Sequence, residues 1–245
     1  MSRTIRTFFE PLSNDTESTI DLDEIESHHL LKVLRLGEGD EIEALNGQGV
    51  IYKVKIEKVV KKSVRLAVLD KRLVPRSEPF FQMGISLLKG NRWEDMIRPL
   101  TELGVGRLIP LLTDRTEAKL KDSNVLSKIQ KWEKIAREAC KQSGNAWMPL
   151  FDTPKRFSTY LKKMDDRDAV LFGSLSPFAK KCEDISLGRV STITVFIGPE
   201  GGWSQGEENL ASESGFSFFT LGKNTLRVET AALSGLAVAR ERFIV

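Results

Sequence analysis

Cysteine is scarce: Cys140 and Cys182 are the only two in 245 residues. Their separation excludes a disulfide framework and any cysteine-built zinc site. Long apolar runs are missing too, and nothing approaches the roughly 18 uninterrupted apolar residues of a membrane span. The segment from Met1 to Asp15 lacks the apolar stretch of a signal peptide. Together these absences predict a cytoplasmic setting with no membrane partner. Nor is there a large excess of one charge: 37 Lys and Arg oppose 34 Asp and Glu, a formal +3. That balance permits a nucleic-acid partner without requiring one, because such binding depends on a local basic face.

What is present changes character along the chain. Over residues 1–74 the apolar spacing is mostly two. Val50, Tyr52, Val54 and Ile56 alternate with Ile51, Lys53, Lys55 and Glu57, and Val64, Leu66 and Val68 resume the alternation. Such spacing makes half-buried antiparallel strands. Asn46-Gly47-Gln48-Gly49 supplies a turn, and a short helix is predicted from Ile25 to Leu34. The reading is a small β-barrel. Val74-Pro75-Arg76-Ser77-Glu78-Pro79 then reads as a linker.

Over 75–245 strand-like and helix-like segments alternate. Strands are predicted at Phe81–Leu88, Leu108–Leu112, Ala169–Leu175, Thr192–Ile197 and Phe216–Leu221. A helix at Asn91–Leu103 opens on a capping-box pattern of Asn91 and Glu94, contains Pro99 and ends at Gly104. A long amphipathic helix is predicted from Asp122 to Gly144, with Ile129, Trp132, Ala136 and Ala139 on one stripe. This alternation predicts an α/β domain with a mostly parallel sheet covered on both faces.

Two junctions carry the chemical signal. Val195-Phe196-Ile197-Gly198-Pro199-Glu200-Gly201-Gly202-Trp203-Ser204 runs a buried strand into a glycine-rich bend, and Ser204 with Glu207 forms a capping box. Strand–loop–helix bends of this kind are where open α/β sheets bind ligands. The sequence is neither a dinucleotide fingerprint nor a P-loop, so a nucleotide-binding enzyme lacks its phosphate motif. The second junction follows Leu221 and Gly222. Lys223-Asn224-Thr225-Leu226-Arg227-Val228-Glu229 enters a last helix rich in small residues. A plain tight turn at the first and a solvated Arg with a helix-capping Glu at the second are the ordinary readings. If the two bends lie on neighbouring strands, they line one crevice.

GPEGGWSQGE followed by LGKNTLRVETAAL resembles the RsmE family of SPOUT methyltransferases, which methylate N3 of a uridine in 16S ribosomal RNA. His28-His29-Leu30, Val33-Leu34-Arg35, Gly39-Asp40, Asn46-Gly47, Lys89-Gly90, Thr101-Glu102-Leu103-Gly104-Val105, Trp132, Ala139 and Gln142-Ser143-Gly144 are similar to the family's pattern in its order. The resemblance covers nearly the whole chain.

The resemblance implies a PUA-like RNA-binding β-barrel at 1–74 and a SPOUT domain at 75–245 with a C-terminal trefoil knot. It implies S-adenosyl-L-methionine as cofactor and no metal. The cofactor is expected against Leu171, Phe172, Gly173, Ile197, Gly198, Pro199, Glu200, Gly201, Gly202, Leu221, Gly222 and Leu226. Arg227 is expected to stabilise charge developing on the uracil oxygens, and Glu229 to accept the N3 proton or orient that cation. RNA contacts are expected from Arg3, Arg6, His28, His29, Arg35 and Arg115, with a packed role as the alternative for His29. The implied partners are 16S ribosomal RNA or the assembled small ribosomal subunit, and a second copy of the chain in a homodimer.

Lys53, Lys55, Lys58, Lys61, Lys62 and Arg65 read as the solvated face of a hairpin, with RNA contact as the alternative. Trp93, Trp132, Trp147 and Trp203 read as core residues or interface residues. Asn145, Asn224 and Val228 depart from the family's usual Arg, Arg and Thr, and Phe172-Gly173 stands where a His-Glu-like pair is common. A different RNA target and a catalytically weakened RNA-binding homologue therefore stay open as alternatives.

Overall fold

A computed structural model describes residues 4–10, 18–118, 124–160 and 168–244. Contacts divide the chain into two compact units, one of residues 1–76 with 137–148, the other of 77–136 with 149–245.

The first unit is built on β1 (Arg6–Phe8), β2 (Thr19–Asp21), β3 (Glu41–Leu45), β4 (Val50–Val60) and β5 (Ser63–Leu73), in the order β1-β3-β4-β5-β2. Among the described pairings of this sheet, β1–β3 is the parallel one. Alternation does what the pattern predicts: Val54, Ile56, Val64 and Leu66 are wholly buried, while Lys53, Lys55 and Arg65 face solvent. Asp23 caps α1 (Glu24–His28) by accepting from the Glu26 N–H, and the chain continues as a π-helical turn over His29–Val33. Single π-turns are frequent at functional sites.

Segment 137–148 completes this unit. Ala146 O accepts from Gly49 N at 2.9 Å, and Gly47 O accepts from Met148 N at 3.0 Å. Cys140 and Ala146 pack with Phe8, Leu45 and Ile51. Burial pushes the Cys140 thiol up to about 12, which makes it an inert core group. Lys141 is buried against Glu26 at 2.7 Å, and Glu26 also accepts from Thr7 Oγ1 at 2.7 Å and Phe8 N at 3.3 Å.

The second unit is a sheet whose described pairings are all parallel. Its strands are β6 (Phe80–Ser86), β7 (Arg107–Leu112), β8 (Leu150–Phe151), β9 (Lys155–Arg156), β10 (Asp168–Gly173), β11 (Lys180–Lys181), β12 (Thr192–Ile197) and β13 (Ser217–Thr220). The order is β11-β13-β10-β12-β6-β7-β8, with β9 also on β7. The helices that follow β6 are α2 (Arg92–Glu102), α3 (Val125–Ser143), whose residues from 137 on group with the first unit, α4 (Phe157–Tyr160), α5 (Gln205–Glu213) and α6 (Val228–Phe243). Parallel strands covered on both faces read as near-continuous apolar runs, and β12, Thr-Ile-Thr-Val-Phe-Ile, is one. Val195 and Ile197 face Gly235 of α6, where an added Cβ would stand 3.5 Å from each. Phe196 faces the other way, onto Phe157.

Three expectations need correction. Asn91 precedes α2 but makes no side-chain capping bond; the buried Glu94 carboxylate is taken instead by Lys131 at 2.6 Å and Lys128 at 3.8 Å. A charge-assisted pair holds a buried carboxylate better than one backbone N–H does. The strand expected to reach Leu175 stops at Gly173, and Leu175 is exposed. The two glycine-rich bends do not follow neighbouring strands, because β10 pairs with both β12 and β13 and lies between them. The predicted start of the long helix at Asp122 falls outside the described residues.

Candidate active site

The intervening strand adds a third bend. Because β13, β10 and β12 run parallel side by side, their C-terminal ends open at one edge of the sheet, and the segments leaving them converge. Together they line an open cavity of about 620 Å³, within the range that small-molecule sites occupy. Of the expected cofactor residues, Gly173, Ile197, Gly198, Pro199, Glu200, Gly201, Gly202, Leu221, Gly222 and Leu226 line it. Leu171 and Phe172 do not: both side chains are wholly buried inside β10.

The bend after β10 contributes Ser174, Leu175, Ser176, Pro177 and Phe178, which sequence reasoning missed. Leu175 and Phe178 are 65% and 84% exposed, an unusual apolar surface beside a cavity mouth.

Trp203 ties two bends together. Its indole N–H donates to Gly173 O at 2.9 Å, and its ring stacks on Phe172 with centroids 4.5 Å apart. Gly198 has to be glycine, since a Cβ there would meet the same indole at 2.9 Å. The capping box is present as predicted: Ser204 Oγ accepts from Glu207 N at 3.2 Å, and Glu207 Oε2 accepts from Ser204 N at 2.9 Å. Glu207 Oε1 also accepts from Asp114 N at 3.0 Å, and Ser204 Oγ donates to Asp114 at 2.5 Å. The bend after β12 is thus anchored to the segment that follows β7. Gly222, at φ +122°, takes a backbone shape that other residues rarely adopt. Asn224, Thr225 and Leu226 line the cavity, and their backbone N–H groups donate to no described residue. They are free to bind a ligand.

Arg227 and Glu229 flank the start of α6. Arg227 is the N-cap, a position that favours Ser, Thr, Asp or Asn, and its side chain makes no capping bond. It is exposed and has no ion pair among the described residues. Glu229 is mostly buried, 3.7 Å from Arg92 Nη1, and its Oε2 has no hydrogen-bond partner among the described residues. Arg92 also ion-pairs with Glu200. That contact holds the Glu200 carboxyl below its ordinary range, with Arg227 adding a smaller pull in the same direction. Arg92 therefore links the bend after β12 to the first turn of α6. Sequence reasoning did not single it out.

The residues expected to hold RNA are divided between the two units. His28 and Arg35 are exposed, and His29, the first residue of the π-turn, is half-buried. Arg35 has φ +58°. Arg6 is engaged internally, on Glu43 at 2.8 Å and Lys141 O at 3.5 Å. Arg115 lies in the second unit and donates to Gly201 O at 2.7 Å. Arg3 is outside the described residues. On the hairpin face, Lys53 pairs with Glu41 and Arg65 with Asp21. Trp93, Trp132 and Trp203 are buried, while Trp147 is half-buried with its N–H on Val74 O at 3.0 Å. No group of three His, Cys, Asp or Glu among the described residues is arranged to hold a metal ion. No helix among them is long and apolar enough to cross a membrane.

A parallel sheet whose strand-end bends line one cavity is the arrangement in which open α/β enzymes bind their ligands. Residues 77–240 match the family described as RNA methyltransferase domain, and residues 22–69 the RNA methyltransferase PUA domain; the chain belongs to this RNA methyltransferase family. Among its relatives is the ribosomal RNA small subunit methyltransferase E of Synechocystis, 32% identical over 226 residues, covering 90% of this chain and 72% of the relative. The protein of the same name from Bacillus subtilis is 32% identical and covers 86% of each chain. The Neisseria gonorrhoeae ribosomal RNA small subunit methyltransferase E, solved bound to S-adenosyl methionine, superposes with a TM-score of 0.86 at 28% identity over 97% of both chains. A Legionella pneumophila putative methyltransferase with bound cofactor SAM gives 0.86 at 29% identity over 98% of both.

Proposed function

We propose that this protein is an S-adenosylmethionine-dependent ribosomal RNA methyltransferase that modifies N3 of a uridine in 16S RNA of the small subunit. The observation that carries the reading is the convergence of the bends after β10, β12 and β13 on one cavity in a chain of this family. The residues present fit the cofactor. Leu175, Phe178, Leu221 and Leu226 offer apolar walls to an adenine ring. The free N–H groups of Asn224, Thr225 and Leu226 suit its polar edge, and the Glu200 and Glu208 carboxylates suit its cationic end.

S-Adenosylmethionine, held by the residues that line this cavity, would supply a methyl group already activated on a sulfonium whose sulfur keeps the carbon–sulfur bond pair, so that N3 has only to give up its proton. The protein's own task is to position the acceptor and to manage that proton and charge. Arg227, exposed and without an ion pair among the described residues, stabilises the negative charge that grows on the uracil oxygens. Glu229, at the positive end of α6, accepts the proton or orients the arginine. The spare acceptor on its Oε2 supports this role. Positioning supplies much of the rate.

Phosphate contacts by His28, His29, Arg35, Arg6 and Arg115 grip the RNA, with affinity that falls as salt rises. Arg6 has to leave Glu43 to take part. The partner is 16S RNA, free or in the small subunit. The enzyme acts in the cytoplasm as a homodimer and needs no metal.

Calorimetry with S-adenosylmethionine and its demethylated product tests the cofactor assignment, and binding of neither removes it. Arg227→Ala is expected to abolish methyl transfer to small ribosomal subunits with an unchanged circular dichroism spectrum. Full activity in that variant refutes the role given to Arg227.

A further inference from the structure

Among the described residues that line the cofactor cavity, the charged ones are Glu200 and Glu208, and both are acids. The two stand differently. Glu200 is compensated: Arg92 ion-pairs with it, and Lys89 and Arg227 add smaller attractions. Glu208 is half-buried and has no ion pair among the described residues. Its Oε1 accepts from Ser174 Oγ at 2.8 Å. Ser174 is itself fixed, since its Oγ accepts from Ser176 N at 3.0 Å and its own N–H donates to Phe219 O at 3.0 Å. Glu208 also lies in the first turn of α5, where the positive end of the helix favours a carboxylate. The cavity therefore presents one oriented negative charge that no cationic side chain among the described residues offsets.

A concave site lined by one sign of charge concentrates its field on whatever enters it. The cofactor enters with a sulfonium, and its demethylated product leaves with a neutral thioether. The two ligands differ by one methyl group and one positive charge. Apolar walls such as Leu221 and Leu226 hold the parts the two ligands share and bind both alike. A fixed carboxylate does not, because its attraction for a unit positive charge vanishes when that charge does. Specificity between two ligands is a difference of affinities, and here the difference rests on the charge alone.

Resting on the methyltransferase reading, we propose that Glu208 is the residue by which this cavity prefers the cationic cofactor to its neutral product. It holds the sulfonium form and loses that hold once the methyl group has gone, so the product is readily exchanged for fresh cofactor. Ser174 is its positioning residue.

The experiment is titration calorimetry of the full protein with three probes: S-adenosylmethionine, S-adenosylhomocysteine, and sinefungin, in which a carbon bearing an ammonium replaces the methylated sulfur. The two cationic probes are expected to bind about tenfold or more tightly than S-adenosylhomocysteine, the scale of one unit-charge attraction across a partly hydrated site. Glu208→Gln keeps an oxygen to accept from Ser174 and removes the charge. In that variant the two cationic probes should weaken until all three Kd values agree within about threefold, with that of S-adenosylhomocysteine unmoved. Equal affinity for cofactor and product in the unmodified protein overturns the proposal, and so does a preference that survives in the variant. Sinefungin binding as weakly as S-adenosylhomocysteine also overturns it, because the site then reads the methyl group and not the charge. Binding of none of the three sinks the cofactor assignment itself, a separate result.

Discussion

Replacing Trp203 by Phe isolates one bond that shapes the cofactor cavity. The ring that stacks on Phe172 and lies 4.9 Å from Phe157 is largely kept. What disappears is the donor to Gly173 O at 2.9 Å. A typical hydrogen bond contributes about 1 kcal/mol net, and a buried acceptor left without its donor costs about 1–3 kcal/mol. The smaller ring adds a modest packing loss, for a total of about 2–4 kcal/mol. Urea unfolding should show the midpoint falling with an unchanged m-value.

The same bond holds the bends after β10 and β12 together at the cavity. A site that spends less time in its competent shape binds in proportion to that fraction. If about 2 kcal/mol of the loss falls on that arrangement, the S-adenosylmethionine Kd rises about thirtyfold, at tenfold per 1.4 kcal/mol. Titration calorimetry reads this directly. A Kd within twofold of the parent, alongside a lowered urea midpoint, would refute the idea that this bond organises the site.

Lys141→Ala removes the cation from a buried pair and leaves Glu26, among the described residues, with Thr7 and Phe8 as donors. The expected destabilisation is about 3–5 kcal/mol by denaturant titration, largely relieved by adding Glu26→Gln. Arg92→Ala frees Glu200, whose carboxyl Arg92 holds below the ordinary glutamate range. A carboxylate with a lowered folded-state pKa stabilises the fold above its unfolded pKa and loses that contribution as pH falls through the lowered value. The variant should therefore show Glu200 titrating at a higher pH by carbonyl NMR, with a shallower acid-side loss of stability; an unmoved titration contradicts the pairing.

The features that local periodicity governs were legible. Alternation placed β4 and β5 and told their buried from their solvated faces, and the Ser204–Glu207 box marked where α5 begins. What failed were judgements that depend on distant partners. Nothing near Asn91 signals that Glu94 will be claimed by Lys128 and Lys131 of a later helix. Strand order is not chain order, so the place of β10 between β12 and β13 was hidden, and with it the contribution of Leu175 and Phe178 to the cavity. Reading Leu175 as strand followed from its apolar side chain, which here stands at a cavity mouth instead of in the sheet. Arg92 was missed because its meaning lies in Glu200 and Glu229, both more than a hundred residues away in sequence.

Residues 137–148 belong with the first unit although they follow much of the second in the chain. A fragment ending at Arg76 would strip the cover from Phe8, Leu45 and Ile51 and should aggregate where the intact chain does not. On the ribosome the consequence is temporal: this early-made unit stays unfinished until Met148 has emerged, so its maturation waits on sequence encoded well into the catalytic half.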